Sequence, residues 1–248
     1  MPRYEFDAPR LFLDAPLQEG GELGLARQQA NYLVNVLRLA QGDAVLVFNG
    51  RDGEWRARLS RSSWKDAVLR LEVQTRPQEG AGDLHYLFSP LKHARLDYMV
   101  QKAVEMGAGR LQPVITHRTQ ATRVNLARMQ ANAIEAAEQC GILAVPEIGE
   151  TLTLEKLLDD WPADRLLVFC DEDAPLADPL AALASALPAG EPLALLVGPE
   201  GGFDAGERTK IRRLPQCVVI SLGPRILRAD TAAVAALALL QAVAGDWR

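Results

Sequence analysis

Along the first 76 residues, apolar positions come in short runs divided by turn chemistry. Residues 44–48, 54–59 and 67–73 have strand length, and Asn49-Gly50 and Asp52-Gly53 lie between the first two runs. Residues 26–37 read as a single helix, so this part predicts a small, mostly β domain. From residue 84 onward the rhythm changes. Apolar runs at 84–88, 111–115, 166–170, 193–197 and 218–222 alternate with helical patterns, which predicts a largely parallel sheet covered by helices.

Several helices show their limits in the pattern. Leu96, Met99, Val100 and Ala103 recur at helical spacing, with Gly107 placed to end that helix. Asp204 and Glu207 have the spacing of a capping box, and Asp230 or Thr231 is a candidate cap for the last helix, residues 230–244. That last helix is apolar nearly all round, which predicts burial, in part against a second subunit. The polar, turn-forming stretch 77–83 separates the two patterns. The expected organisation is therefore a domain over 1–76, a linker over 77–83 and a domain over 84–248.

Composition changes this picture little. With 248 residues and 48% hydrophobic content the chain can bury a core without staples. Cys140, Cys170 and Cys217 are scattered, so neither a disulfide framework nor a zinc site is encoded. The charged N-terminus and the absence of a long apolar run predict a soluble cytoplasmic protein with no membrane partner. His85, His93 and His117 are scattered too, and are expected to be structural or surface groups.

Charge distribution matters more than the net value of −5. Arg110, Arg118, Arg123 and Arg128 fall in a stretch without acids, as do Arg208, Lys210, Arg212, Arg213, Arg225 and Arg228. Residues 147–178 are rich in acids. Such segregation allows a basic face on an acidic protein, although ordinary solvated faces that never meet in space are an equal reading.

Two segments stand out as chemistry. Val197-Gly198-Pro199-Glu200-Gly201-Gly202-Phe203 runs from a buried strand into a loop with three glycines and then a capped helix. Ligands of open α/β sheets bind at carboxyl strand ends, where glycine lets backbone amides come close. The loop has neither the lysine of a phosphate-binding loop nor the spacing of a dinucleotide fingerprint. The second segment, Ser221-Leu222-Gly223-Pro224-Arg225-Ile226-Leu227-Arg228-Ala229-Asp230-Thr231-Ala232, also joins a strand to a helix and carries two arginines suited to phosphate contact or charge stabilisation, with salt bridges to the acidic segment as the alternative.

Taken together, these motifs closely resemble those of the ribosomal RNA small subunit methyltransferase E family, the 16S rRNA (uracil-N3)-methyltransferases assigned to uridine 1498. Gln101-Lys102-Ala103, Glu105, Gly107, Arg118, Glu138-Gln139 and Val36-Leu37-Arg38 with Gly42-Asp43 extend the resemblance over nearly the whole chain. Ile142 and Asp230 stand where the family usually has arginine and glutamate.

The resemblance implies an N-terminal PUA-like β-barrel that binds RNA, followed by a SPOUT α/β domain with a deep trefoil knot. It also implies a homodimer acting on 16S rRNA within the small ribosomal subunit. S-adenosylmethionine would be held by Val197, Gly198, Pro199, Glu200, Gly201 and Gly202, by Leu222, Gly223, Arg225, Ile226 and Leu227, and by the turn around Phe169.

Methylation at uracil N3 needs a positioned donor, an extruded base and loss of a proton, which leaves negative charge on the ring oxygens. Arg228, Arg118 and Lys102 are the candidates to stabilise that charge. Arg3, Arg38, Arg118 and Arg123 are candidate RNA contacts. Glu200 is a candidate base or loop brace, and no metal is required. Competing readings are a methyltransferase for another rRNA or tRNA site, a non-catalytic RNA-binding protein, and a nucleotide-binding α/β enzyme.

Overall fold

The computed structural model describes residues 8–60, 66–92, 94–121, 123–187 and 190–247. Arg3 and His93 lie outside the described residues. The chain divides into two compact units, one of residues 1–80 with 137–145 and one of residues 81–136 with 146–248.

In the first unit, a sheet of order β1-β3-β4-β5-β2 is built from β1 (Arg10–Phe12), β2 (Glu22–Gly24), β3 (Ala44–Phe48), β4 (Glu54–Ser60) and β5 (Val68–Arg76). All neighbours are antiparallel except β1 and β3. The β3–β4 turn has the chemistry expected of it. Asn49 accepts from the backbone N–H groups of Arg51 and Asp52, while Gly50 and Gly53 take φ of 80° and 76°. Leu33, Val45, Val47, Ala57, Leu59 and Leu69 form the core under this sheet.

The expected helix over 26–37 is shorter and mixed. α1 (Arg27–Asn31) passes into a π-helical turn over Tyr32–Val36. The chain then leaves through Arg38, whose φ of 58° makes it the one non-glycine residue in the left-handed region among those described. Residues 137–145 join this unit through side-chain bonds. Glu138 accepts from the Phe12 N–H at 2.8 Å, and the buried Arg76 donates to the Gly141 carbonyl at 2.7 Å.

In the second unit the strands run parallel in the order β12-β10-β11-β6-β7-β8. They are β6 (Leu84–Phe88), β7 (Arg110–Ile115), β8 (Glu147–Ile148), β10 (Leu166–Cys170), β11 (Leu193–Val197) and β12 (Cys217–Ile220); β9 (Leu152–Thr153) pairs separately with β7. β11 is buried at all five positions, as a central parallel strand covered on both faces must be.

The helices are α2 (Ala94–Glu105), α3 (Leu126–Cys140), α4 (Leu154–Asp159), α5 (Pro179–Ala186), α6 (Ala205–Arg212) and α7 (Ala229–Val243). Leu87, Leu167, Phe169, Leu196, Phe203 and Ile211 fill one core cluster. Tyr86 stacks on Phe88 and donates to the Met99 sulfur at 3.0 Å.

Two local expectations are corrected. β12 ends at Ile220, so Ser221 and Leu222 belong to the following loop. The cap position of α7 is Arg228, extended at ψ 151° with no side-chain cap, because Ala229 is already helical. Asp230 stands in the first turn, where a carboxylate favours the positive end of the helix dipole.

Candidate active site

β12, β10 and β11 are neighbours, so their three carboxyl ends deliver three loops to one place. Residues 170–172, 197–202 and 221–227, with Ala229 and Ala232 of α7, line a cavity of about 320 Å³. That is the size of a small-molecule site. Val197, Gly198, Pro199, Glu200, Gly201, Gly202, Leu222, Gly223, Arg225, Ile226 and Leu227 all stand in its wall. Phe169 does not. Its ring is fully buried and meets Phe203 edge to face, centroids 5.0 Å apart, so the chain reaches the cavity only from Cys170 onward.

Each glycine of the β11–α6 loop answers a different need. A Cβ on Gly198 would enter the Phe203 ring, and one on Gly202, where φ is 67°, would enter the Glu172 carboxylate. At Gly201 nothing lies nearer than the Arg118 side chain, 3.5 Å from the place of a Cβ. The backbone there is open to a ligand. The Gly201 carbonyl accepts from Arg118 Nη1 at 2.7 Å, and Glu200 pairs with Arg95 of α2. Glu200 is thus a brace of the loop.

α6 begins as its sequence predicts. Asp204 accepts from the Glu207 N–H at 2.8 Å and Glu207 returns the bond to the Asp204 N–H at 3.0 Å, which completes the capping box. The second Glu207 oxygen accepts from the His117 N–H at 2.7 Å. The Glu207 N–H bond to Asp204 holds that carboxyl below the usual aspartate range, with nearby His117 and Arg118 adding to the effect.

Arg225 and Ile226 are exposed at the rim, Ile226 at 90%. Arg228 is exposed between two lining residues, Leu227 and Ala229. Among the described residues neither Arg225 nor Arg228 makes an ion pair. Lys102 is placed elsewhere: it holds Glu105 on its own helix at 2.6 Å, lies over the Tyr98 ring and does not line the cavity. Arg123 is exposed after β7, and Arg38 is exposed in the first unit.

The other basic residues are largely spoken for by the acidic segment. Arg208 and Arg212 bind Asp171, and Lys210 binds Glu155. Neither thiol of β10 and β12 is a ready nucleophile, since burial pushes Cys170 up to about 12 and Cys217 to about 11; Cys140, at the end of α3, is exposed and does not line the cavity. Asp171 and Glu172 are cavity residues that the sequence pattern marks only as part of an acidic stretch, whereas Ser221 opens the second loop. The signal was present in the acids directly following the 166–170 strand, at a carboxyl strand end.

Residues 78–241 match the RNA methyltransferase domain family, and residues 25–72 the RNA methyltransferase PUA domain family. The ribosomal RNA small subunit methyltransferase E of Rickettsia conorii is 30% identical over 230 residues, covering 92% of this chain and 93% of its own. The chain belongs to the ribosomal RNA small subunit methyltransferase E family.

A Bacillus subtilis member of this methyltransferase E family is 28% identical over 90% of the chain and 91% of its own. The Neisseria gonorrhoeae member, solved bound to S-adenosyl methionine, superposes with a TM-score of 0.85 at 28% identity, over 97% of this chain and all of that one. Among the described residues, no helix is long and apolar enough to cross a membrane, and no cluster of three or more His, Cys, Asp or Glu side chains is arranged to hold a metal.

Proposed function

We propose that this protein methylates N3 of a uridine in 16S rRNA, the position corresponding to uridine 1498, using S-adenosylmethionine. The observation that carries the reading is the cavity where three adjacent parallel strands end, walled by two glycine-bearing loops and open to the backbone at Gly201. Its volume and the exposed backbone at Gly201 fit such a cofactor. Val197 to Gly202 and Leu222 to Leu227 would hold it.

The bound cofactor supplies an electrophilic methyl group, the hard part of the chemistry. The protein's own residues position the base and answer its charge. A uracil that has lost its N3 proton carries negative charge on O2 and O4, and fixed cations aimed at those oxygens lower the barrier. Arg225 and Arg228 suit that role because no carboxylate among the described residues neutralises them. Arg118, anchored on the Gly201 carbonyl, keeps further N–H donors for the same face. Lys102, paired with Glu105, does not support a catalytic role within one chain.

The same reading includes a cytoplasmic homodimer with the trefoil-knotted threading that the family resemblance implies, acting on the small ribosomal subunit, with Arg38 and Arg123 as RNA contacts. Mass spectrometry of 16S rRNA from cells with and without the gene tests it. Loss of one methyl group at the predicted uridine is expected, and an unchanged methylation map would refute the assignment. In steady-state assays, Arg228→Ala should lower kcat even at saturating RNA, whereas Arg38→Ala should raise KM for the subunit and flatten its salt dependence by about one unit of slope.

A further inference from the structure

One guanidinium in the second unit does the work of a clamp. The Arg208 side chain, rising from α6, uses all three of its nitrogens on three consecutive acids of the loop after β10. Nε binds Asp171 Oδ1 at 3.0 Å, Nη2 binds Glu172 Oε1 at 2.6 Å and Nη1 binds Asp173 Oδ2 at 2.8 Å. The Asp171 carboxylate is fully buried and is also bound by Arg212 Nη2 at 2.6 Å. Asp171 and Glu172 stand in the cavity wall, whereas Asp173 and Arg208 do not.

Three neighbouring carboxylates repel one another and, left alone, would spread toward water. The planar fork of an arginine fixes their directions together, as a lysine's single ammonium cannot. Glu172 is the member whose direction matters. It is 42% exposed at the side chain, it reaches the cavity, and its oxygen fills the space beside Gly202 that a Cβ would take. The clamp therefore sets the third loop of the cavity against the β11–α6 loop.

We propose that Arg208 is a positioning residue for the cofactor cavity, acting through Glu172, whose carboxylate it holds toward the ligand as an acceptor for the ligand's hydroxyl or ammonium donors. The inference rests on the reading of this cavity as an S-adenosylmethionine site.

A double-mutant cycle in cofactor affinity tests it, with Arg208→Gln, Glu172→Gln and the double variant titrated calorimetrically with S-adenosylmethionine. Each single change is expected to weaken binding about tenfold or more, and the double variant to be no weaker than the worse single. In turnover assays, KM for the cofactor should rise while kcat at saturating cofactor stays within about threefold. Arg208→Lys should rescue little, because it restores the charge without the fork.

Wild-type protein that binds no cofactor would refute the cofactor reading itself. Wild type that binds, with Arg208→Gln equally tight or with the two losses multiplying, would overturn the clamp alone. Should Arg208→Gln fail to fold, Glu172→Gln decides, since that half-exposed carboxylate can be neutralised without stranding a buried charge. Unchanged affinity in Glu172→Gln would overturn the proposal.

Discussion

Gly201 and Gly202 are neighbours whose loss should be felt differently. At Gly202 the backbone sits at φ 67° and a side chain would meet the Glu172 carboxylate, so Gly202→Ala should cost stability, by roughly 1–2 kcal/mol from the backbone alone. At Gly201 a Cβ would only touch the Arg118 side chain at an ordinary 3.5 Å, so Gly201→Val should fold with little loss of thermal stability yet lose cofactor binding, because the branched side chain crowds the exposed backbone of the cavity wall. Melting curves and calorimetric titration of the two variants separate the cases. Equal loss of stability in both would show that Gly201 is no more open than its neighbour.

His85 offers a pH dependence with a defined sign. Burial, aided by Arg165 and Arg110 against the pull of Asp83, lowers its pKa to about 4. The unfolded chain therefore takes up a proton that the folded chain refuses between pH about 6.5 and 4, and stability falls as pH falls through that window, by at most about 3 kcal/mol. Replacing His85 with Gln removes this contribution. Denaturant melts at pH 7 and pH 4.5 should show a smaller acid loss in His85→Gln than in the wild type. Identical losses would mean that the imidazole is protonated in the folded protein as readily as outside it.

At the scale of elements, what could be read from sequence depended on whether local chemistry decided the structure. The five parallel strands were legible because each is a continuous apolar run between helical patterns, and the capping box because Asp204 and Glu207 act only on their own turn. That cap is a usable lever. Asp204→Ala should destabilise by about 1 kcal/mol, and Glu207→Ala by more, since Glu207 also satisfies the His117 N–H. Chemical denaturation of the two variants checks the order.

Features set by distant contacts were not legible. Nothing local says that α1 gives way to a π-helical turn after Asn31, or that residues 137–145 belong with the N-terminal sheet, since Glu138 and Arg76 find their partners far along the chain. The cavity was legible in its two glycine-bearing walls, and its third wall, the turn after the 166–170 strand, only through the family resemblance and not in its acidic residues. Phe169 itself is buried against Phe203, and the chain enters the site one residue later, with acidic groups whose directions depend on Arg208 from α6.

For the molecule as a whole, the proposed homodimer would use the side of α7 turned from the core. Ala229, Ala233, Ala236, Leu237 and Leu240 are buried, whereas Val234, Ala235, Ala238 and Leu239 are only partly covered, and Tyr98 of α2 is exposed in the groove that Val234 and Ala235 line. A homodimer through this side is the expected state. Light scattering at micromolar concentration should give twice the mass of the chain, and Ala235→Glu should halve it. A stable wild-type monomer would remove the dimer from the proposed function.

The strand order also dictates when this fold can exist. β6 is synthesised early, but its hydrogen-bonded neighbour β11 begins with Leu193, more than a hundred residues later, and β10 has no second neighbour until Cys217 to Ile220 have been made. A nascent chain paused before residue 193 holds a central strand with one side bare. The pairing of β10, β11 and β12, which carries the cavity, must then wait for residues 193–220, across loops that are long and slow to close. The N-terminal sheet, whose strands are complete by Arg76, can form while the rest is still inside the ribosome. A protein proposed to modify ribosomes would thus need its own ribosome to have passed residue 220 before the sheet that bears the cavity can close.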